Sequence, residues 1–174
     1  MAVIHVVSHT HWDREWYLTF QQFRIKLVRL IDNLLEILKD NQYYRSFLLD
    51  GQTIILRDYF EIRPEREQEL KNYINAGRLF TGPWYCLPDE FLVSPEALIR
   101  NLLAGRQDAD EYGACMNIGY LPDQFGHIGQ LPQILSGFGM RAVVAWRGIG
   151  DQPCELCWQA PDGSSVLLAH LRET

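Results

Sequence analysis

Short apolar, β-branched segments alternate along this chain with amphipathic helical patterns, and that alternation limits the fold more than any other feature. Residues 3–7 (Val-Ile-His-Val-Val) predict a buried strand running into Ser8-His9-Thr10-His11-Trp12-Asp13. Thr19-Phe20-Gln21-Gln22 has capping-box spacing. Phe23, Leu27, Leu30, Ile31, Leu34, Leu35 and Leu38 then recur at i, i+3, i+4 steps, the apolar stripe of a helix packed on one face. Further strands are expected at 46–49, 79–81, 117–121, 142–146 and 166–170, the last in a hairpin with 157–159 across Asp162-Gly163. Helices are expected over 53–60, from Pro64 to a stop at Gly77, from the Ser94-Pro95-Glu96 cap to Gly113, and around 131–135. Strand–helix–strand order predicts a parallel sheet with crossover helices, as an open doubly wound sheet or a barrel. In either, chemistry gathers at the carboxyl ends of the strands. The chain stops directly after the sixth strand, so a barrel of seven or eight strands would be unfinished, and a fragment is expected.

Composition excludes several classes. With 47% hydrophobic residues in 174, the chain can bury a sizeable core. Asp and Glu outnumber Lys and Arg by 22 to 16, and no basic patch stands out, so neither nucleic acid nor an anionic membrane is an expected partner. No apolar run approaches the roughly 20 residues of a spanning helix. The N-terminus lacks the basic region of a secretory signal, and the four Cys lack framework spacing, which together predict a cytoplasmic location. Cys154-Glu155-Leu156-Cys157 is a lone CxxC without a second pair. There is no phosphate-binding Gly-rich loop and no Gly-x-Ser-x-Gly elbow.

The unusual residues sit at strand ends. His9, His11 and Asp13 are spaced by two, so in extended backbone their side chains share a face and can converge on one point. Imidazole nitrogen with carboxylate oxygen suits zinc, and Mn²⁺ less firmly. The competing reading is that such residues only satisfy loop hydrogen bonds. Asp123 follows Pro122 at the fourth strand's end and suits a ligand, a base or a nucleophile; its plainer reading is a turn or cap residue. Trp12, Trp16, Tyr17, Trp84 and Tyr85 gather in the same loops, where rings can stack on sugar faces or fill an aromatic core.

Three stretches resemble one known family. They are His9-Thr10-His11-Trp12-Asp13-Arg14-Glu15-Trp16-Tyr17, Gly82-Pro83-Trp84 with Pro88-Asp89-Glu90, and Gly119-Tyr120-Leu121-Pro122-Asp123-Gln124-Phe125-Gly126-His127. In order and wording they resemble the N-terminal domain of family 38 glycoside hydrolases, the retaining zinc-dependent α-mannosidases, and the branch that includes bacterial mannosylglycerate hydrolases. The resemblance implies the opening part of a seven-stranded α/β barrel, in chains several times this length. It implies a zinc ion held by His11, Asp13 and Asp123, with His9 a supporting neighbour. Asp123 would also be the nucleophile, Trp16 would line the glycone subsite, and an α-mannoside would be the substrate. The choice of His11 over His9 comes from the resemblance alone. The family's fourth ligand, a later His, and its general acid have no counterpart here; His127 and His170 do not sit in that motif, and neither Glu90 nor Asp151 is nominated as acid.

The 174-residue chain is therefore expected to be the metal-site part of an α-mannosidase, inactive or nearly so alone, and inclined to self-associate into homo-oligomers through the strand edges of an unfinished barrel. Two other classes stay open. A metal-dependent deacetylase or amidohydrolase also places His and Asp at strand ends, but with a metal-bound water as nucleophile. A non-catalytic carbohydrate-binding fragment would keep its sugar affinity after His11→Ala and Asp13→Ala.

Overall fold

In the computed structural model, which describes residues 3–171, the predicted alternation is present from the first helix onward. The order is β1 (His9–Thr10), α1 (Phe20–Asp40), β2 (Phe47–Leu49), α2 (Ile54–Phe60), a 3₁₀ turn (Pro64–Arg66), α3 (Glu67–Asn75) and β3 (Leu79–Phe80). Then come α4 (Pro95–Tyr112), β4 (Gly119–Leu121), α5 (Leu131–Gly137), β5 (Ala142–Ala145), β6 (Glu155–Gln159) and β7 (Ser165–His170). β1, β2 and β3 form one parallel sheet, and β4-β5-β7-β6 a second in which only β6 runs antiparallel. The β6–β7 hairpin turns at Asp162 and Gly163 as the sequence predicts, with Gly163 at φ 90°.

The first strand departs from expectation. Residues 3–8 carry no regular structure, and Val3, Ile4, Val6 and Val7 are exposed. β1 pairs only with β2, in the register His9↔Leu48 and Thr10↔Leu49, and β2 begins at Phe47. The apolar run upstream of Ser8 therefore lies beyond the reach of any strand partner among the described residues. Strand propensity without a partner leaves its backbone groups to water.

The two long helices, α1 and α4, begin at local caps. Gln22 Oε1 accepts the Thr19 backbone N–H at 3.1 Å at the head of α1. Ser94 Oγ accepts from Ala97 N at 3.2 Å with Pro95 in the first turn of α4, and Gly113 closes that helix at φ 142°. The stripe of α1 (Leu27, Ile31, Leu35, Leu38) is fully buried against Ile55, Leu56 and Leu70. A second core gathers Leu98, Leu102, Leu121, Leu135, Val143 and Leu168 around Trp84, which has no exposed surface. Trp84 Nε1 donates to the Tyr120 carbonyl at 3.0 Å, and Met116 N donates to the Thr81 carbonyl at 3.0 Å, so the two sheets meet along the β3–β4 boundary. The sequence places Trp84 among candidate sugar-stacking rings; the structure makes it a core residue.

α4 also shapes the loop after β3. Asn101 Oδ1 accepts from Tyr85 N at 2.9 Å, and its Nδ2 donates to the Cys86 carbonyl at 2.7 Å. One turn on, a Cβ at Gly105 would stand 2.3 Å from the Pro83 carbonyl oxygen and 2.4 Å from Tyr85 N. Both obstacles are backbone, so neither can swing aside. Gly105→Ala is expected to destabilise the chain by about 1–3 kcal/mol or more, read as a lower denaturant midpoint at unchanged m-value.

Candidate active site

The tips of β1, β2 and β4 meet. His11 Nε2 lies 3.6 Å from Asp13 Oδ1 and 3.5 Å from Asp123 Oδ2. These three side chains are partly exposed, at 34%, 42% and 37%, and face a cleft of about 140 Å³ also lined by Leu87, Pro88, Asp89, Gln124 and Phe125. Two residues 112 positions apart in sequence thus share one wall, because each follows the carboxyl end of a parallel strand and the two sheets meet along the β3–β4 boundary.

Behind this wall stands Asp50, directly after β2. It adopts a left-handed conformation, φ 48°, and is wholly buried. His11 Nδ1 is 3.2 Å from its Oδ1, while Oδ2 accepts from Trp12 N at 2.6 Å and Gln52 Nε2 at 2.9 Å. Burial pushes the Asp50 carboxyl up, but with three N–H donors around it we assign the carboxylate, which is an acceptor for all three. The hydrogen bond to Asp50 is the main cause of the raised His11 pKa, with burial opposing it. With its Nδ1 proton directed at Asp50, His11 turns Nε2 toward the two front carboxylates. A buried Asp beside a Gly after a strand was a signal that could have been read; the turn-forming habit of Asp-Gly masked it.

Asp123 is held from its other side. Arg147, just after β5, pairs through Nη2 with Asp123 Oδ1 at 2.5 Å and donates from Nε to the Asp123 carbonyl at 3.0 Å. Its guanidinium lies 4.3 Å from the Phe125 ring centroid. Asp123 therefore offers Oδ1 to Arg147 and Oδ2 to the cleft. Sequence reasoning missed Arg147, since nothing local ties it to a residue 24 positions earlier.

Other motif residues turn out to be supports. Arg14 grips the buried Asp58 of α2 with two bonds, at 2.6 and 2.8 Å, and so fixes the loop that carries Asp13. His9 stays outside the cluster, its Nδ1 3.4 Å from Tyr120 Oη. Trp16 is 74% exposed, packs edge-on against Tyr17, and is not among the residues lining the cleft. The lone CxxC is open to solvent, whereas Cys86 and Cys115 are half-buried, with burial raising Cys115 to about 11. Iodoacetamide at pH 8 is expected to alkylate Cys154 and Cys157 well before Cys115, as peptide mass mapping over time would register.

A zinc ion fits the donor chemistry of the front wall. Tetrahedral coordination with bonds of about 2.0–2.2 Å puts neighbouring donor atoms about 3.4 Å apart, and the two His11 separations lie close to that. Among the described residues, however, no group of three or more His, Cys, Asp or Glu is arranged to hold an ion as it stands. One imidazole and two carboxylates are the right kinds of donor, not a closed cage.

Comparison with known proteins identifies the family. A family model, the glycosyl hydrolases family 38 N-terminal domain, matches residues 1–173. A curated relative from Halalkalibacterium halodurans, named "Putative mannosylglycerate hydrolase", is 48% identical over 178 residues, covering 94% of this chain and 20% of the relative. Alpha-mannosidase G of Dictyostelium discoideum is 29% identical over 92% of this chain and 15% of its own length. The crystal structure of an alpha-mannosidase from Enterococcus faecalis V583 superposes with a TM-score of 0.90 at 41% identity, over 95% of this chain and 19% of that one. The chain thus spans about a fifth or less of the proteins it matches. With a match running through all three strand-end motifs, the chain belongs to glycoside hydrolase family 38, within its N-terminal domain.

Proposed function

We propose that this chain is the nucleophile-bearing and metal-binding portion, residues 1–174, of a retaining α-mannosidase whose catalytic unit is a seven-stranded α/β barrel. One observation carries the reading: Asp123 is tethered by Arg147 through Oδ1 while Oδ2, 3.5 Å from His11 Nε2 on the same wall, opens on the cleft. A carboxylate positioned in that way can attack the anomeric carbon of a sugar seated in the cleft. The glycosidic oxygen leaves as the ester to Asp123 forms, and water then hydrolyses the ester, so that two inversions give net retention. His11, Asp13 and Asp123 would hold zinc, which when bound supplies a Lewis acid for mannose hydroxyls. Asp50 orients His11 for that purpose, Arg14 holds the Asp13 loop, and Trp16 lines the glycone subsite when sugar is present.

The general acid and a fourth ligand, in this reading, come from outside these 174 residues. General acid catalysis is worth typically about 10²–10⁴-fold, so the isolated chain should turn over aryl α-mannosides at no more than a trace rate. A cytoplasmic location and self-association through unpaired strand edges belong to the same proposal. In the structure itself, no helix among the described residues is long and apolar enough to cross a membrane.

The test is a fluorinated mannoside that traps the glycosyl-enzyme. The full-length protein should bind about one zinc per chain and gain the mass of one fluoromannosyl group on the peptide containing Asp123. A metal-dependent deacetylase would bind metal but form no adduct, and a sugar-binding fragment would bind mannoside without either. Zinc-loaded protein that stays unmodified sinks the mannosidase account.

A further inference from the structure

The mechanism above leaves unused the most buried charged pair near the cleft. Resting on the mannosidase reading, we propose that Glu90 and His127 form a positioning pair that holds Arg147, and through it Asp123, in line for attack. His127 and Glu90 side chains are 3% and 0% exposed, and Nδ1 lies 2.7 Å from Oε1. The other Glu90 oxygen accepts from Ile128 N at 2.9 Å. On its far side His127 Nε2 sits 3.0 Å from the Arg147 carbonyl oxygen. A carbonyl only accepts, so Nε2 carries a proton, and a second proton lies between Nδ1 and Oε1. Burial works against the imidazolium, but the hydrogen bond and charge of Glu90 and the bond to Arg147 outweigh it, and His127 is raised above its ordinary value.

This pair joins three consecutive strand tips. Glu90 comes from the loop after β3, His127 from the loop after β4, and Arg147 from the end of β5. The backbones cross tightly at this point: a Cβ on Gly148, at φ 80°, would stand 2.9 Å from the Gly126 Cα and 3.0 Å from His127 Nε2. Trp158 of β6 packs edge-on over the imidazole, with centroids 5.4 Å apart. Arg147 is thus gripped by its own carbonyl on one side while its guanidinium grips Asp123 on the other. His127 never reaches the cleft wall; it acts through Arg147.

The trapping reaction tests the pair in the full-length protein. Glu90→Gln and His127→Asn are expected to slow mannosylation of Asp123 by about 10–100-fold, the usual cost of removing an outer partner. Zinc content and the KM for an aryl mannoside should stay near the parent values, a split that a general loss of fold would not give. Combined with Arg147→Lys, either change should add little further loss, because all three act on one carboxylate. If Glu90→Gln folds poorly, His127→Asn carries the test, since it removes the imidazole that links Glu90 to the Arg147 carbonyl and leaves the fork on Asp123 in place. Variants trapped at the parent rate, or losses that multiply, overturn the proposal. A parent protein that is never trapped overturns the mannosidase reading instead.

Discussion

Asp123→Asn in the full-length protein is expected to lower kcat for an aryl α-mannoside by about 10⁴–10⁶-fold, the scale of nucleophile deletions, and to abolish the fluoro-mannoside adduct. The amide is a poor nucleophile and cannot form the same ester. Its effect on folding should be small, because Asp123 is partly exposed and its carbonyl, not its carboxylate, accepts the Arg147 Nε bond. Asparagine would still leave Arg147 a carbonyl oxygen to pair with if Oδ1 occupies the same place. Activity and stability should therefore separate: a large kinetic loss with a thermal midpoint close to the parent. A variant that still forms the adduct, on Asp123's peptide or another, removes Asp123 from the role of nucleophile.

A second large effect is expected at Asp50. Asp50→Asn tolerates the left-handed backbone at φ 48°, which Asn adopts at least as readily as Asp. What it cannot do is accept from three donors at once. If its NH₂ faces His11, Nδ1 must become the acceptor and the imidazole proton moves to Nε2, the nitrogen turned toward Asp13 and Asp123. If instead its oxygen faces His11, the NH₂ meets the Trp12 and Gln52 donors head-on. Either choice costs. Zinc affinity is expected to fall about 10–100-fold, measured by competition with a chromogenic chelator, and removing a buried acceptor should also cost about 1–3 kcal/mol of stability. Unchanged zinc affinity in a folded Asp50→Asn protein would exclude Asp50 from orienting His11.

Asp50 and Arg147 mark the boundary of what was legible beforehand. Asp13, His11 and Asp123 stand in motifs with distinctive neighbours, and the i, i+2 spacing of the first two on an extended segment already argues for a shared face. Asp50 reads as a turn and Arg147 as an ordinary surface cation, because each acquires meaning only from a partner 39 or 24 positions away. Arg14 makes the opposite case. It lies inside the most distinctive motif and looks chemical, yet its guanidinium is spent on Asp58.

Elements with their own internal pattern were recoverable from the chain alone. The α1 stripe, the Ser94 cap, the Gly113 stop and the Asp162-Gly163 turn all rest on interactions between residues within a few positions of one another. Strands differ because their hydrogen bonds belong to a neighbour. Residues 3–7 have the composition of a buried strand and find no strand partner among the described residues, while the polar His9 and Thr10 pair with Leu48 and Leu49. Trp84 likewise could have lined a cleft or filled a core by composition, and only the packing of α4 and β4 around it decided for the core. Helix periodicity and capping are short-range and so are written in the order of residues. Which tips meet, which oxygen of Asp123 is left free, and which histidine faces the cleft depend on contacts between distant segments, and those exist only once the chain has folded.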